Sequence, residues 1–178
     1  NEAKKPVVLL GGAQLSHIAT RKVIEAVGEM KGTDAAPAIM PRLSDSDSAV
    51  RLAAAKTLNS LGHKSWAPGT VDALMTLLDD KDSKIVTAAI EALSNAREAS
   101  ALPRFIALAQ KNKFRKETVS AIASLGGEEV VPVLITMLGD RNIRVRQEAA
   151  KALRKYRDKA WPIISQKFLS NELPPEYE

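Results

Sequence analysis

The chain has 178 residues, 45% of them apolar and only 4% aromatic, and carries a formal net charge of +5. It contains no Cys, which excludes disulfides and thiolate metal sites, and no apolar run approaches the roughly 20 residues needed to cross a membrane as a helix. Because Asn1 is not an initiating methionine, the chain is expected to be a fragment or a processed form; compartment is left open, with the cytoplasm favoured over export.

In chain order, residues 4–12 (KKPVVLLGG) predict a short helix stopped by the glycine pair. Ser16 is placed to cap a second helix over 17–31, with Ile18, Val23, Ile24 and Val27 on its apolar side and Gly32 ending it. The next helix pair spans 35–64. Pro37 suits the first turn of its outer helix, Asp45 and Asp47 form the turn and cap the inner helix over 48–61, and Gly62 closes it. The pair over 67–98 repeats the plan, with Pro68 near the start, Leu74, Leu77 and Leu78 inward, and Asp80 and Asp82 in the turn.

The pair over 99–127 departs from that plan. Its turn reads AQKNK, one residue is lost before the inner helix, Phe114 stands where Val50, Ile85 and Val145 stand elsewhere, and Asn112 is the one candidate cap. The pair over 128–157 returns to the pattern with Asp140 and Asn142. One more helix lies within 159–170, running from Trp161 with Pro162 in its first turn and offering Ile163, Ile164 and Phe168 to the last pair; 171–178 (NELPPEYE) reads as an irregular tail. No stretch alternates with period two between hairpin turns, so the class is all-α.

Three stretches repeat: LSDSDSAVRLAAAKTLNSL from Leu43, LDDKDSKIVTAAIEALSNA from Leu78 and LGDRNIRVRQEAAKALRKY from Leu138. Leu43, Leu78, Leu108 and Leu138 are separated by 35, 30 and 30 positions, and Leu58, Leu93, Ile122 and Leu153 by 35, 29 and 31, so two landmarks keep nearly one period. This pattern resembles the HEAT repeat, in the short bacterial form found in phycobilisome lyase-type proteins. The resemblance implies a right-handed α-α superhelix, a HEAT-like solenoid of about five helix pairs plus a C-terminal capping helix. The resemblance further implies a single array over 1–170 (units about 4–33, 35–64, 67–98, 99–127 and 128–157) with the inner helices on the concave side. It speaks to fold more than to function.

Few residues offer chemistry. SDSDS and DDKDS lack the glycine bend and closing Glu of a calcium loop, and helix capping accounts for them. In HEAT proteins the matching Asp, with an Arg at the place of Arg51 and Arg146, forms an inter-repeat ladder, so the resemblance assigns them to stability. His17 and His63, the two histidines, sit in different units without the three converging ligands a metal needs. The His-Glu pairs of HEAT-like di-iron hydroxylases are absent, as are a phosphate loop, a nucleophile elbow and H-E-x-x-H, so neither cofactor nor catalytic residue is assigned. Trp66 and Trp161, each at the start of an outer helix, are expected to pack between repeats, with an exposed contact role as the alternative. Tyr156 is expected in the core.

The strongest functional pattern runs across repeats. Aligning the inner helices places Ala49, Lys84, Lys113 and Arg144 at one position, Arg51, Val86, Arg115 and Arg146 two further on, and Leu52, Thr87, Lys116 and Gln147 after that. Arg144, Lys151, Arg154 and Lys155 share the polar side of the last inner helix. These residues predict a basic groove, and the leading expectation is a non-catalytic interaction module whose concave inner-helix face binds a protein partner. Two alternatives stand beside it: nucleic-acid binding in the manner of HEAT-like DNA glycosylases, and a bilin-lyase-like or chaperone subunit. The chain is expected to act as a monomer or as part of a larger chain or complex.

Overall fold

The residues that the repeat places between its segments set the helix ends. The computed structural model describes residues 16–110 and 114–170, and among these every regular element is helical. The chain divides into two compact units, Asn1–Ala92 and Leu93–Glu178. The expected helix over 4–12 and the tail over 171–178 lie outside the described residues.

In the first unit, α1 (His17–Glu29) is capped as expected, the Ser16 hydroxyl accepting from the Ala19 N–H at 3.3 Å. It stops two residues earlier than the sequence pattern suggests: Lys31, at φ 51°, makes the reversal, and the Gly32 N–H returns to the Val27 carbonyl. Ile24 is buried while Ile18 and Val23 are exposed, so the expected four-residue apolar side narrows to the part that faces α3 (Ser48–Leu61).

The outer segment ahead of α3 is short, α2 (Ala36–Ile39) passing into a 3-10 turn over Met40–Ser44. Pro41 cannot donate to the Pro37 carbonyl, which denies the α-helix its next bond and favours the tighter turn. Asp47 then caps α3, its Oδ1 accepting from the Ala49 and Val50 N–H groups at 2.8 and 3.2 Å, while Asp45 accepts from the Asp47 N–H. Gly62, at φ 82° and ψ 153°, ends α3 in a region that side chains disfavour. Pro68 lies outside α4 (Thr70–Leu77), ahead of Gly69, and Asp80 and Asp82 rebuild the same turn before α5 (Ser83–Asn95).

Within this unit α1 packs on α3 and α4 on the 3-10 turn of the preceding outer segment, which gives two layers. Leu43, Val50, Ala54, Leu58, Leu74 and Leu78 fill the space between them. The Thr57 hydroxyl donates to the Ile24 carbonyl at 3.3 Å, and a methyl added at Gly28 would meet that oxygen at 3.0 Å. Small residues at this crossing let the two helices approach closely.

The second unit repeats the layering. Beyond the end of α5 it holds α6 (Leu102–Gln110), α7 (Arg115–Leu125), α8 (Val130–Met137), α9 (Ile143–Leu153) and α10 (Arg157–Leu169). The helix α7 pairs with α6, α9 packs on both α7 and α8, and α10 lies on α8, in the place of an outer helix. Phe105, Val119, Ile122, Leu134 and Val145 are buried.

Three details differ from the sequence expectation. Asn112, the expected cap of α7, lies outside the described residues, and the helix begins at Arg115 with Phe114 at the cap position and no side-chain capping bond. Instead the Thr118 hydroxyl closes the first turn onto the Phe114 carbonyl at 2.7 Å. Second, α10 starts at Arg157, reached from α9 by a 3-10 turn over Arg154–Tyr156, so Pro162 sits inside the helix and leaves the Asp158 carbonyl without its usual donor. Third, Tyr156 is only half-buried.

Candidate binding surface

The cations of the predicted row fall into two kinds. Arg51 sets the first, in the first unit, where its Nη1 donates to the carbonyls of Asp45 and Ser46 at 2.8 and 3.0 Å. Its Nε and Nη2 also grip the Asp80 carboxylate at 2.8 and 3.2 Å. One guanidinium therefore closes its own turn and ties it to the next. Burial alone would push the Asp80 carboxyl up, but the hydrogen bonds from Arg51 and from the Asp82 N–H outweigh it and hold it below the usual carboxylate range; the bond to Asp80 in turn raises Arg51. Asp45 behaves alike: against its burial, the Asp47 N–H and the nearby His17 and Arg42 keep its carboxyl low. His17 Nδ1 lies 3.2 Å from Asp45, so this histidine has a partner that no motif announced.

Arg115 and Arg146 are the second unit's versions. Arg115 Nη1 donates to Asp140 Oδ1 at 2.9 Å, and Arg146 Nη1 donates to the Asp140 and Arg141 carbonyls at 2.8 and 3.2 Å. Both bind the turn that launches α9, Arg115 from α7 and Arg146 from α9 itself, and both are only partly exposed.

The remaining members are of another kind. Lys84 on α5, Lys116 on α7, and Arg144, Lys151, Arg154 and Lys155 on and after α9 are exposed, and Lys113 lies outside the described residues. In the second unit, Lys116, Arg144, Lys151, Arg154 and Lys155 form no ion pair with any described residue, whereas Lys159 there and Arg21, Lys22 and Arg42 in the first unit do. Residues 141–157 hold seven Lys/Arg against one acid, Glu148. Since α7 and α9 pack side by side, the five cations lie on two adjoining helices and the turn that follows them.

The structure also separates the two tryptophans. Trp66 is a packing residue, its indole N–H donating to the Leu58 carbonyl at 2.8 Å, whereas Trp161 is 68% exposed on α10. Ile143, 58% exposed at the first position of α9, belongs to no motif. Its signal was present in the alignment, where the equivalent residues are Ser48, Ser83 and Asn112, all polar. Among the described residues no helix is long and apolar enough to cross a membrane, and no group of three or more His, Asp or Glu side chains is placed to hold a metal ion.

Comparison with known proteins bears on the architecture. A family model described as HEAT repeats matches residues 16–94 and 106–166. Among solved structures, the complex of CpcE and CpcF of phycocyanin lyase from Nostoc sp. PCC7120 is similar at TM-score 0.63 and 19% identity, over 86% of this chain and 68% of that one. An engineered protein is similar at TM-score 0.61 and 20% identity, over 88% of this chain and 85% of its own. No curated protein sequence matches the chain. At such identities the likeness concerns the fold, an all-α solenoid of HEAT type.

Proposed function

The chain belongs to the HEAT-repeat family, and from that premise we propose that it is a non-catalytic scaffold that holds a protein partner against the exposed sides of α7 and α9. The observation that carries this reading is the division among the cations. Arg51, Arg115 and Arg146 are engaged at the turns, while Lys116, Arg144, Lys151, Arg154 and Lys155, on adjoining helices and the turn after α9, form no ion pair with a described residue. The arginines that tie the turns together are thus distinct from these five exposed cations, which make no such bond to a described residue. Lys84 and Lys113 extend the row in sequence. Repeat scaffolds bind through such repeated faces because equivalent positions can vary without disturbing the core.

Replacing Lys116, Arg144, Lys151 and Arg154 by Glu tests the proposal. The variant is expected to keep the helical circular dichroism and melting profile of the wild type and to lose the partner that the wild type captures from a lysate of the source organism. An unchanged set of captured proteins would refute it.

A second reading, a lyase-type subunit, draws on the likeness to the CpcE–CpcF complex. It predicts a visible-absorbing adduct when the protein is mixed with a bilin and an apo-acceptor, and lack of any adduct would remove it.

A further inference from the structure

The face of α9 that carries the unpaired cations is not uniformly basic. By helical spacing, Ile143, Gln147 and Ala150 form one exposed row and Arg144 and Lys151 the row beside it, with Arg154 and Lys155 beyond. Ile143 is 58% exposed at a position where the other repeats carry the polar Ser48, Ser83 and Asn112. Acids also interrupt the patch: Glu117 is exposed beside Lys116, and Glu148 lies one turn from Arg144.

These features discriminate between classes of partner. A nucleic-acid backbone presents an even line of phosphates, to which Ile143 offers nothing and which Glu117 and Glu148 oppose; the aromatic stacking platform that single strands use is also missing from the exposed rows of α7 and α9. A polypeptide can place acids against the cations and an apolar side chain against Ile143 and Ala150 in one register. We infer that the partner docks through an acidic segment that carries an apolar anchor, its carboxylates facing Arg144, Lys151, Arg154 and Lys155 and its anchor covering Ile143. This rests on the reading that α7 and α9 form the docking face.

The test is fluorescence anisotropy of the whole protein with two labelled probes in the same buffer: a peptide of glutamate with leucine at every fourth position, and a duplex DNA. The peptide is expected to bind more tightly than the DNA. Its affinity is expected to fall about tenfold in the Lys151→Glu, Arg154→Glu, Lys155→Glu variant and about threefold or more in Ile143→Ser, both variants retaining wild-type circular dichroism. Tighter binding of the DNA, no binding of the peptide, or peptide binding insensitive to both variants would each overturn the inference. If the charge-reversal variant of the preceding section still loses its captured partner while the peptide fails to bind, the docking face stands and only the acidic, apolar nature of the partner is refuted.

Discussion

The two units are built on one plan and differ in what they do with charge. Residues 1–92 hold 11 Lys/Arg against 11 Asp/Glu, whereas residues 93–178 hold 15 against 10, so the whole net charge of +5 belongs to the second unit. In the first, Asp45 and Asp80 hold His17, Arg42 and Arg51 in a chain of partners across successive turns. In the second, Asp140 serves Arg115 through its carboxylate and Arg146 through its carbonyl, and α9 adds cations that form no ion pair with a described residue. The comparison teaches that the turn arginines and the exposed cations answer to different demands, even where the sequence places them in adjacent columns. One set holds the helices in register; the other is exposed.

The largest expected effect is common to both units, because both depend on the same kind of core. Phe105→Ala in the second should cost about 3–5 kcal/mol and Leu58→Ala in the first about 2–5 kcal/mol in urea denaturation. Next, Arg51→Met should cost about 2–3 kcal/mol, since it strands a largely buried Asp80, and Arg115→Met only about 1 kcal/mol, since one hydrogen bond is lost. Equal costs would erase the distinction drawn between the two ladders. Gly62→Ala and Gly126→Ala should each cost about 1–3 kcal/mol, because φ is 82° and 80° at these two helix ends, and here the units should agree.

The smallest effect is one of pH. Asp45 and Asp80 have carboxyls held low in the folded chain, so their contribution is complete above the ordinary carboxylate value of about 3.9 and is lost as pH falls from there through the folded-state values. Melting temperature followed from pH 7 downward should therefore drop steeply in acid, and Asp80→Asn should flatten that drop while lowering the plateau at neutral pH.

Most of the architecture was legible in the sequence because repetition supplies its own alignment. Ser16, Asp47, Asp82, Asn142 and Gly62 each mark the helix end that the repeat assigns them. Where the pattern lapsed, the helix ends were harder to place: Asn112 was the one candidate cap before α7, which starts at Arg115 with Phe114 at the cap position, and Pro162 drew the expected start of α10 too late. The candidate surface was legible as a column of cations but not as two classes. Whether an arginine turns inward depends on a carboxylate some thirty residues away, as Arg51 does on Asp80, and on its distance from the turn carbonyls, which spacing alone does not give. Trp66 and Trp161 show the same limit, since one finds the Leu58 carbonyl for its N–H and the other stands in solvent.

The central claim is tested most directly by site-specific photocrosslinking from the two layers of the second unit. A photoreactive residue at Ser120, exposed on α7, should crosslink the native partner, and one at Thr136, exposed on α8, should not. The Ser120 crosslink should also vanish when Lys151, Arg154 and Lys155 are reversed to Glu. Crosslinking from Thr136 in preference to Ser120, or a Ser120 crosslink indifferent to the charge reversal, would contradict the account.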